Sequence, residues 1–402
     1  MNSLSNTPGS EGRRRLLLGL IPASLALGAC RATPGPPGRT VSTTAPAAPG
    51  PDAPGPGAPV VAAGAHQAGI DRPRQPQRHT VLTVYGLPER GAPPAGTVGR
   101  LGTAIAGLSS GAAGGRLAGM SPGDLTVTVG VGPRLVSTVD PKLPGAAELP
   151  AFAREERGGL TWGGDLLVQI CASDPLVAGL ADTSLSASLA ADGCVPRWSQ
   201  PGFRPAGTGA VRNLLGFPDG IENPRSAAEL AGHVWLPAGG PLAGGTIAVV
   251  RRLRIDVPGF QAQPVSGQER VIGRRRDDGS PLSGGAATDR IDLSAKTPDG
   301  RYLVPAMAHA RRANSLASGG GLMLRRGYSY RNAPDDQGLL FVSHQRELRT
   351  FTATQQRLDE GDDLMRFVTA TASGTFLILP GFDGGRPLGQ PLFGTTSTRH
   401  TP

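Results

Sequence analysis

Asp124–Gly132, DLTVTVGVG, alternates apolar and polar or small side chains without a break. A period of two sends successive side chains to opposite faces of an extended chain, so this stretch predicts a β-strand. Upstream, HTVLTVYG (79–86) is β-branched and alternating and predicts another, while the Gly/Ala-rich residues 97–118 between them carry only a weak helical pattern. Downstream, DLLVQICA (165–172) is a continuous apolar run, the signature of a strand buried on both faces. Leu and Val then recur at helical spacing over residues 176–190, and CVPRWSQ (194–200) reads as a closing strand. The order is β, α, β, β, α, β.

The same order returns further on. GGTIAVVRRLRIDV (244–257) is a strand, QERVIGRR (268–275) starts a helix, and GLMLRRGYSYR (321–331) with GLLFVSHQ (338–345) forms a strand pair. A polar, helix-compatible stretch lies within 349–368, and GTFLILPG (374–381) is a buried strand. A long insertion interrupts this second round at about 275–320. The economical reading is an α+β fold of two ferredoxin-like (βαββαβ) halves, antiparallel sheets with helices on one face. The N-terminal half is expected over 79–215 and the C-terminal half over 216–395.

Composition bounds the rest. Of 402 residues, 60 are Gly and 39 Pro, and residues 31–78 are rich in Pro, Ala and Gly without periodicity, which reads as a disordered linker. The net charge of +9 comes mainly from Arg, but aromatics make up only 4% and no basic cluster is interleaved with them, which argues against nucleic-acid binding. Arg13–Arg15 precede a short apolar run that ends at Cys30, too short for a stable span. Paired arginines before leucines resemble a twin-arginine signal peptide over residues 1–30, and Leu27–Cys30 resembles a lipobox. The expected location is extracytoplasmic, lipid-anchored at Cys30 or else periplasmic or secreted. The second triple-arginine run, 274–276, reads as a solvated loop. Cys171 and Cys194 either pair in an oxidising compartment or stay as buried thiols.

Chemistry concentrates at GFPDGIENPR (216–225), where Asp219 sits between glycines that permit a sharp turn and Asn223 is restrained by Pro224. Six histidines occur. His66 and His79 lie at the linker edge and His400 near the end; His233 sits in HVW, and His344 lies in a strand that can face solvent. His309 differs, standing in AMAHARRANS between the apolar YLVPAM and a basic, Asn-containing exit.

Together, RNLLGFPDGIENP (212–224), His309 followed by Arg311 and Asn314, LMLRRGYSY with Arg325 and Arg326, and GLLFVSHQR resemble the dye-decolorizing peroxidase family, in its exported EfeB-like deferrochelatase/peroxidase branch. HQAGI (66–70), DLTVTVGVG and LLVQICA extend the resemblance over about residues 66–395. It implies haem b and a fold of the dimeric α+β barrel superfamily type. His309 would be the proximal iron ligand, its second ring nitrogen held by a carboxylate, Asp362 or alternatively Asp363. Asp219 would shuttle a proton on the distal side, with Arg325 as a fixed cation beside it. Neighbours on a strand face opposite ways, so Arg326 would be at the surface or facing a propionate. Arg311, and more weakly Arg251, would pair with a haem propionate. The family's Asn-Pro after the ligand is Asn314-Ser315 here.

The function implied is peroxide reduction coupled to oxidation of a bulky or surface-docked reductant, through residues such as Tyr328, Tyr330 or Trp235. The alternatives are an iron-uptake component that releases iron from haem or oxidises ferrous iron beside a permease, and a non-enzymatic haem-binding lipoprotein. Hydrogen peroxide, an unidentified reductant and a homo-oligomeric partner complete the expectations.

Overall fold

A computed structural model describes residues 57–89, 94–111, 116–207, 210–315 and 319–394. The signal peptide, the lipobox cysteine and the first part of the linker lie outside the described residues. The first round of elements is β1 (His79–Gly86), α1 (Pro94–Ser109), β2 (Thr126–Val131), α2 (Pro133–Val139), β3 (Leu166–Ala172), α3 (Pro175–Ala191) and β4 (Val195–Phe203). After α4 (Ala227–His233) comes the second round. It comprises β5 (Thr246–Ile255), α5 (Val257–Gln261), α6 (Val265–Ile272), α7 (His309–Arg312), β6 (Leu324–Arg325) and β7 (Tyr328–Arg331). It ends with β8 (Gln337–Gln345), α8 (Leu348–Gly361), β9 (Val368–Ile378) and α9 (Gln390–Phe393). The helix expected within 97–118 forms over 94–109, burying Val98, Leu101, Ile105 and Leu108 at spacings of three and four.

The strands run β4-β1-β3-β2 in the first round and β9-β5-β8-β7 in the second, all antiparallel, the ferredoxin-like order in each. β2 joins β9 and β4 joins β7, so eight strands close into a barrel, with β6 prolonging β7 along β8. Both seams are short: Gly130↔Ile378 and Val131↔Leu377 at one, Phe203↔Ser329 at the other. A glycine sits at each. A Cβ on Gly130 would lie 2.8 Å from Ile378 Cδ1, and one on Gly202 2.8 Å from Tyr328 Cβ. Bare backbone is what lets the two half-sheets meet.

Closing the sheet divides the core. Leu82, Val84, Leu167, Val250, Val342 and Phe376 fill the interior. The opposite-parity residues of the first half, Val127, Val129, Val168 and Ile170, pack outward against α1 and α3. Cys171 points into the barrel and Cys194 into the outer cluster, so the sheet separates them and both are free thiols. Burial raises both pKa values, that of Cys194 to about 11, so neither is a thiolate nucleophile at neutral pH.

The linker ends earlier than its composition suggests. Gln67, Ala68 and Ile70 are buried, and the Gln67 amide bonds to both backbone groups of Val129 and to the Leu379 carbonyl. One glutamine thereby satisfies strand-edge groups where β2 and β9 diverge.

Candidate active site

The second half keeps its outer face open. Leu253 and Ile255 on β5, Leu339 and Phe341 on β8, and Val368 and Ala370 on β9 form an apolar floor. Phe351 and Leu358 of α8, Leu364 and Met365 of the following 3-10 turn, and Leu215 and Phe217 of the Asp219 loop make the walls. His309, Asp219 and Arg325 all line this one cavity.

His309 opens α7. Its Nδ1 donates to Asp362 Oδ2 at 2.6 Å, while Asp362 Oδ1 accepts from the Leu364 amide at 2.8 Å. Asp363 is half exposed and faces Arg366 instead, which settles the choice between the two carboxylates. Burial opposes protonation of the His309 ring, but the charge and hydrogen bond of Asp362 outweigh it and raise the pKa. Arg325 lowers that pKa and Asp219 raises it, so both charges are felt at the imidazole. With Nδ1 committed, Nε2 has no hydrogen-bond partner among the described residues.

The Asp219 loop turns at Gly216 and Gly220, with φ of +86° and +79°. Asp219 Oδ1 accepts from the Gly220 amide at 2.6 Å. The loop is tied to the strand carrying the arginine: Asn223 Nδ2 donates to the Arg325 carbonyl at 2.8 Å, and Oδ1 accepts the Arg325 amide at 3.0 Å. This side chain pairs with a peptide as a neighbouring strand would, fixing Asp219 and Arg325 in mutual register. The Arg325 guanidinium has no ion pair among the described residues.

Several expectations fail. Arg326 is neither at the surface nor at the cavity: it points into the barrel, 3% exposed, and donates to the Pro73 carbonyl and to Gln77 Oε1. Arg311 is not among the cavity-lining residues. Its guanidinium holds the Leu293 and Val304 carbonyls and stacks on Tyr302, tying down the insertion. Arg274 is buried, not solvated, and joins Glu222 at 2.9 Å to the Gly279 and Ala287 carbonyls. His344 faces the barrel interior, not solvent, and Tyr328, Tyr330 and Trp235 are buried too, so none of these three aromatics is a surface residue.

Arg251 does line the cavity, in a buried pair with Glu155 at 2.6 Å. Arg204, absent from the sequence reading, lines it as well and donates to the Gly327 carbonyl. Nε of each is buried without a hydrogen-bond partner among the described residues. A cavity with apolar walls, two arginines that each keep one unpartnered Nε–H, and one free imidazole nitrogen fits an iron porphyrin carrying two propionates.

Comparison with known proteins decides the family. A model described as Dyp-type peroxidase, N-terminal, matches residues 96–204, and one described as Dyp-type peroxidase, C-terminal, matches 210–383. The chain belongs to the dye-decolorizing peroxidase family. It is 37% identical over 303 residues to a dye-decolorizing peroxidase of Thermobifida fusca, covering 68% of this chain and 69% of that protein. It is 32% identical over 300 residues to the deferrochelatase of Escherichia coli K12, covering 68% and 69%. The structure of ferric DtpA from Streptomyces lividans superposes with a TM-score of 0.78 at 32% identity, covering 84% of this chain and 97% of that one. This peroxidase is thus a haem-dependent enzyme, and its cofactor is haem b. His309 would hold the iron, with Arg204 and Arg251 placed for the propionates.

Proposed function

We propose that Asp219 and Arg325 carry out the proton and charge work of hydrogen peroxide reduction, at the expense of a bulky reductant. One observation carries this reading: both residues reach the cavity that holds His309, locked together through Asn223. Bound haem supplies the iron and the electrons. The Asp219 carboxylate takes a proton from the incoming peroxide and returns it to the oxygen that leaves as water. Arg325, with no ion pair among the described residues, keeps its charge for the negative charge that builds on the departing oxygen until that proton arrives. Asp362 holds the imidazole in one tautomer and orientation, while the Leu253 and Phe341 floor and the Phe351 wall keep bulk water away.

The test is peroxide-dependent turnover of the haem-loaded protein. Asp219→Asn is expected to reduce kcat/KM for peroxide roughly 10²–10⁴-fold with haem content unchanged. Turnover that survives the substitution would remove Asp219 from the role.

A second reading has support in the relatives named deferrochelatase: release of iron with the porphyrin left intact. Metal-free protoporphyrin as the product of incubation, in place of turnover of a reductant, would favour it. The proposal also places the enzyme outside the cytoplasm, because Arg13–Arg15 before an apolar run suit twin-arginine export. Attachment through Cys30, a permease partner and a homo-oligomer remain parts of this proposal, resting on sequence resemblance.

A further inference from the structure

Among the described methionines, 120, 307, 323 and 365, only Met307 counts as exposed, at 47%; Met323 is buried and both Met323 and Met365 line the cavity. Met307 lies two residues before His309. Its thioether covers Gly361 so closely that a Cβ there would fall 2.9 Å from Sδ. Its carbonyl accepts the Asp363 amide at 2.9 Å. Met307 therefore clasps the Gly361–Asp363 turn from both sides of Asp362, the residue that orients His309.

We propose that Met307 is a site of oxidative modification by this enzyme's own substrate, hydrogen peroxide, and that the modification loosens the grip on haem. The peroxide O–O bond breaks, one oxygen bonds to sulfur, sulfur loses two electrons, and the other oxygen leaves as water with both protons. The product is a methionine sulfoxide, polar and chiral where the thioether was apolar and flexible. A polar sulfoxide on a half-exposed side chain favours water over its close seat on Gly361, so the side chain swings to solvent and the turn carrying Asp362 loses its cover. The effect on haem rests on the reading of His309 as ligand; the site of oxidation does not.

The experiment has two arms. Haem-free protein is exposed to graded hydrogen peroxide and its peptides are weighed: Met307 should gain one oxygen before Met120, Met323 or Met365. Haem transfer to apomyoglobin is then timed. Oxidised wild type and unexposed Met307→Gln should both release haem faster, by up to the roughly 10-fold that disturbing a ligand's hydrogen-bond partner costs. Met307→Leu should release it at the unoxidised rate before and after exposure. Met307 remaining intact while the other methionines oxidise overturns the site. Fully oxidised Met307 with unchanged haem release overturns the consequence. If His309→Ala releases haem no faster than wild type, the ligand reading fails while the order of oxidation still stands.

Discussion

The two halves share one strand order and use their outer faces differently. In the first, α3 lies across β1 and β3 with α1 packed beside it, and Leu101, Ile105, Val177 and Leu185 are buried in one cluster with the outer face of the sheet. In the second, the corresponding helical positions are held by the short α5 and α6 and by α8, whose buried residues include Thr350, Thr354 and Gln355. Apolar helices seal one face; short and polar ones leave the other open. The lesson is that the same topology yields a stabilising core or a cofactor cavity according to how much apolar helix covers it.

This contrast predicts that substitutions in the halves separate into losses of chemistry and losses of stability. The largest effect is expected for His309→Ala, which should weaken haem binding by more than the ~10–100-fold typical of a ligand's supporting partner, followed by Soret titration. A normal Soret band at stoichiometric haem would break the assignment.

Arg325, at the end of β6, and its neighbour Arg326 sharpen the comparison. Arg325→Leu should lower kcat/KM for peroxide about 10²–10³-fold and leave Tm in place. Arg326→Leu abandons the Pro73 carbonyl and Gln77 inside the barrel. It should therefore change stability by about 1–3 kcal/mol, with turnover per folded molecule preserved. The reverse pattern would mean that the faces are misassigned.

In the first half, Leu101→Ala should cost about 2–5 kcal/mol of stability by denaturant titration, with kcat unaltered. A fall in kcat without destabilisation would contradict the division of labour.

The smallest effect concerns pH. His344 is buried with neither ring nitrogen hydrogen-bonded among the described residues, and burial, aided by Arg326, pushes its pKa down to about 3 from 6.5. The unfolded chain binds this proton below its ordinary pKa while the native state refuses it. The associated stability is complete above about pH 6.5 and is lost as pH falls toward 3. His344→Leu should make unfolding less acid-sensitive, by roughly 2 kcal/mol between about pH 7 and 5. Equal acid sensitivity in the variant would show that His344 is not held neutral.

Much of this was legible from pattern. The strict alternation of 124–132 and the repeated βαββαβ order specify both half-sheets, because periodicity is local. Closure was not, since the seams amount to two residue pairs and one pair, each enabled by a glycine that carries no pattern of its own. His309, Asp219 and Arg325 stood out because they occupy family motifs. Arg311 was misread: two positions along a short helix turns it away from its neighbour, toward the Leu293 and Val304 carbonyls. Tyr328 and Tyr330 share strand parity with Leu324, and that parity sends them into the barrel whatever their polar tips suggest. Arg204 is one of 40 basic residues with no motif around it, and the run that contains Arg274 gives only the pattern of a solvated loop. Their importance arises only when distant segments meet.

The most direct test is a crystal structure of the haem-loaded enzyme. The account predicts iron bonded to His309 Nε2, with Asp219 and Arg325 together on the opposite face of the porphyrin. Iron held by another side chain, or Asp219 and Arg325 on the same side as His309, would contradict it.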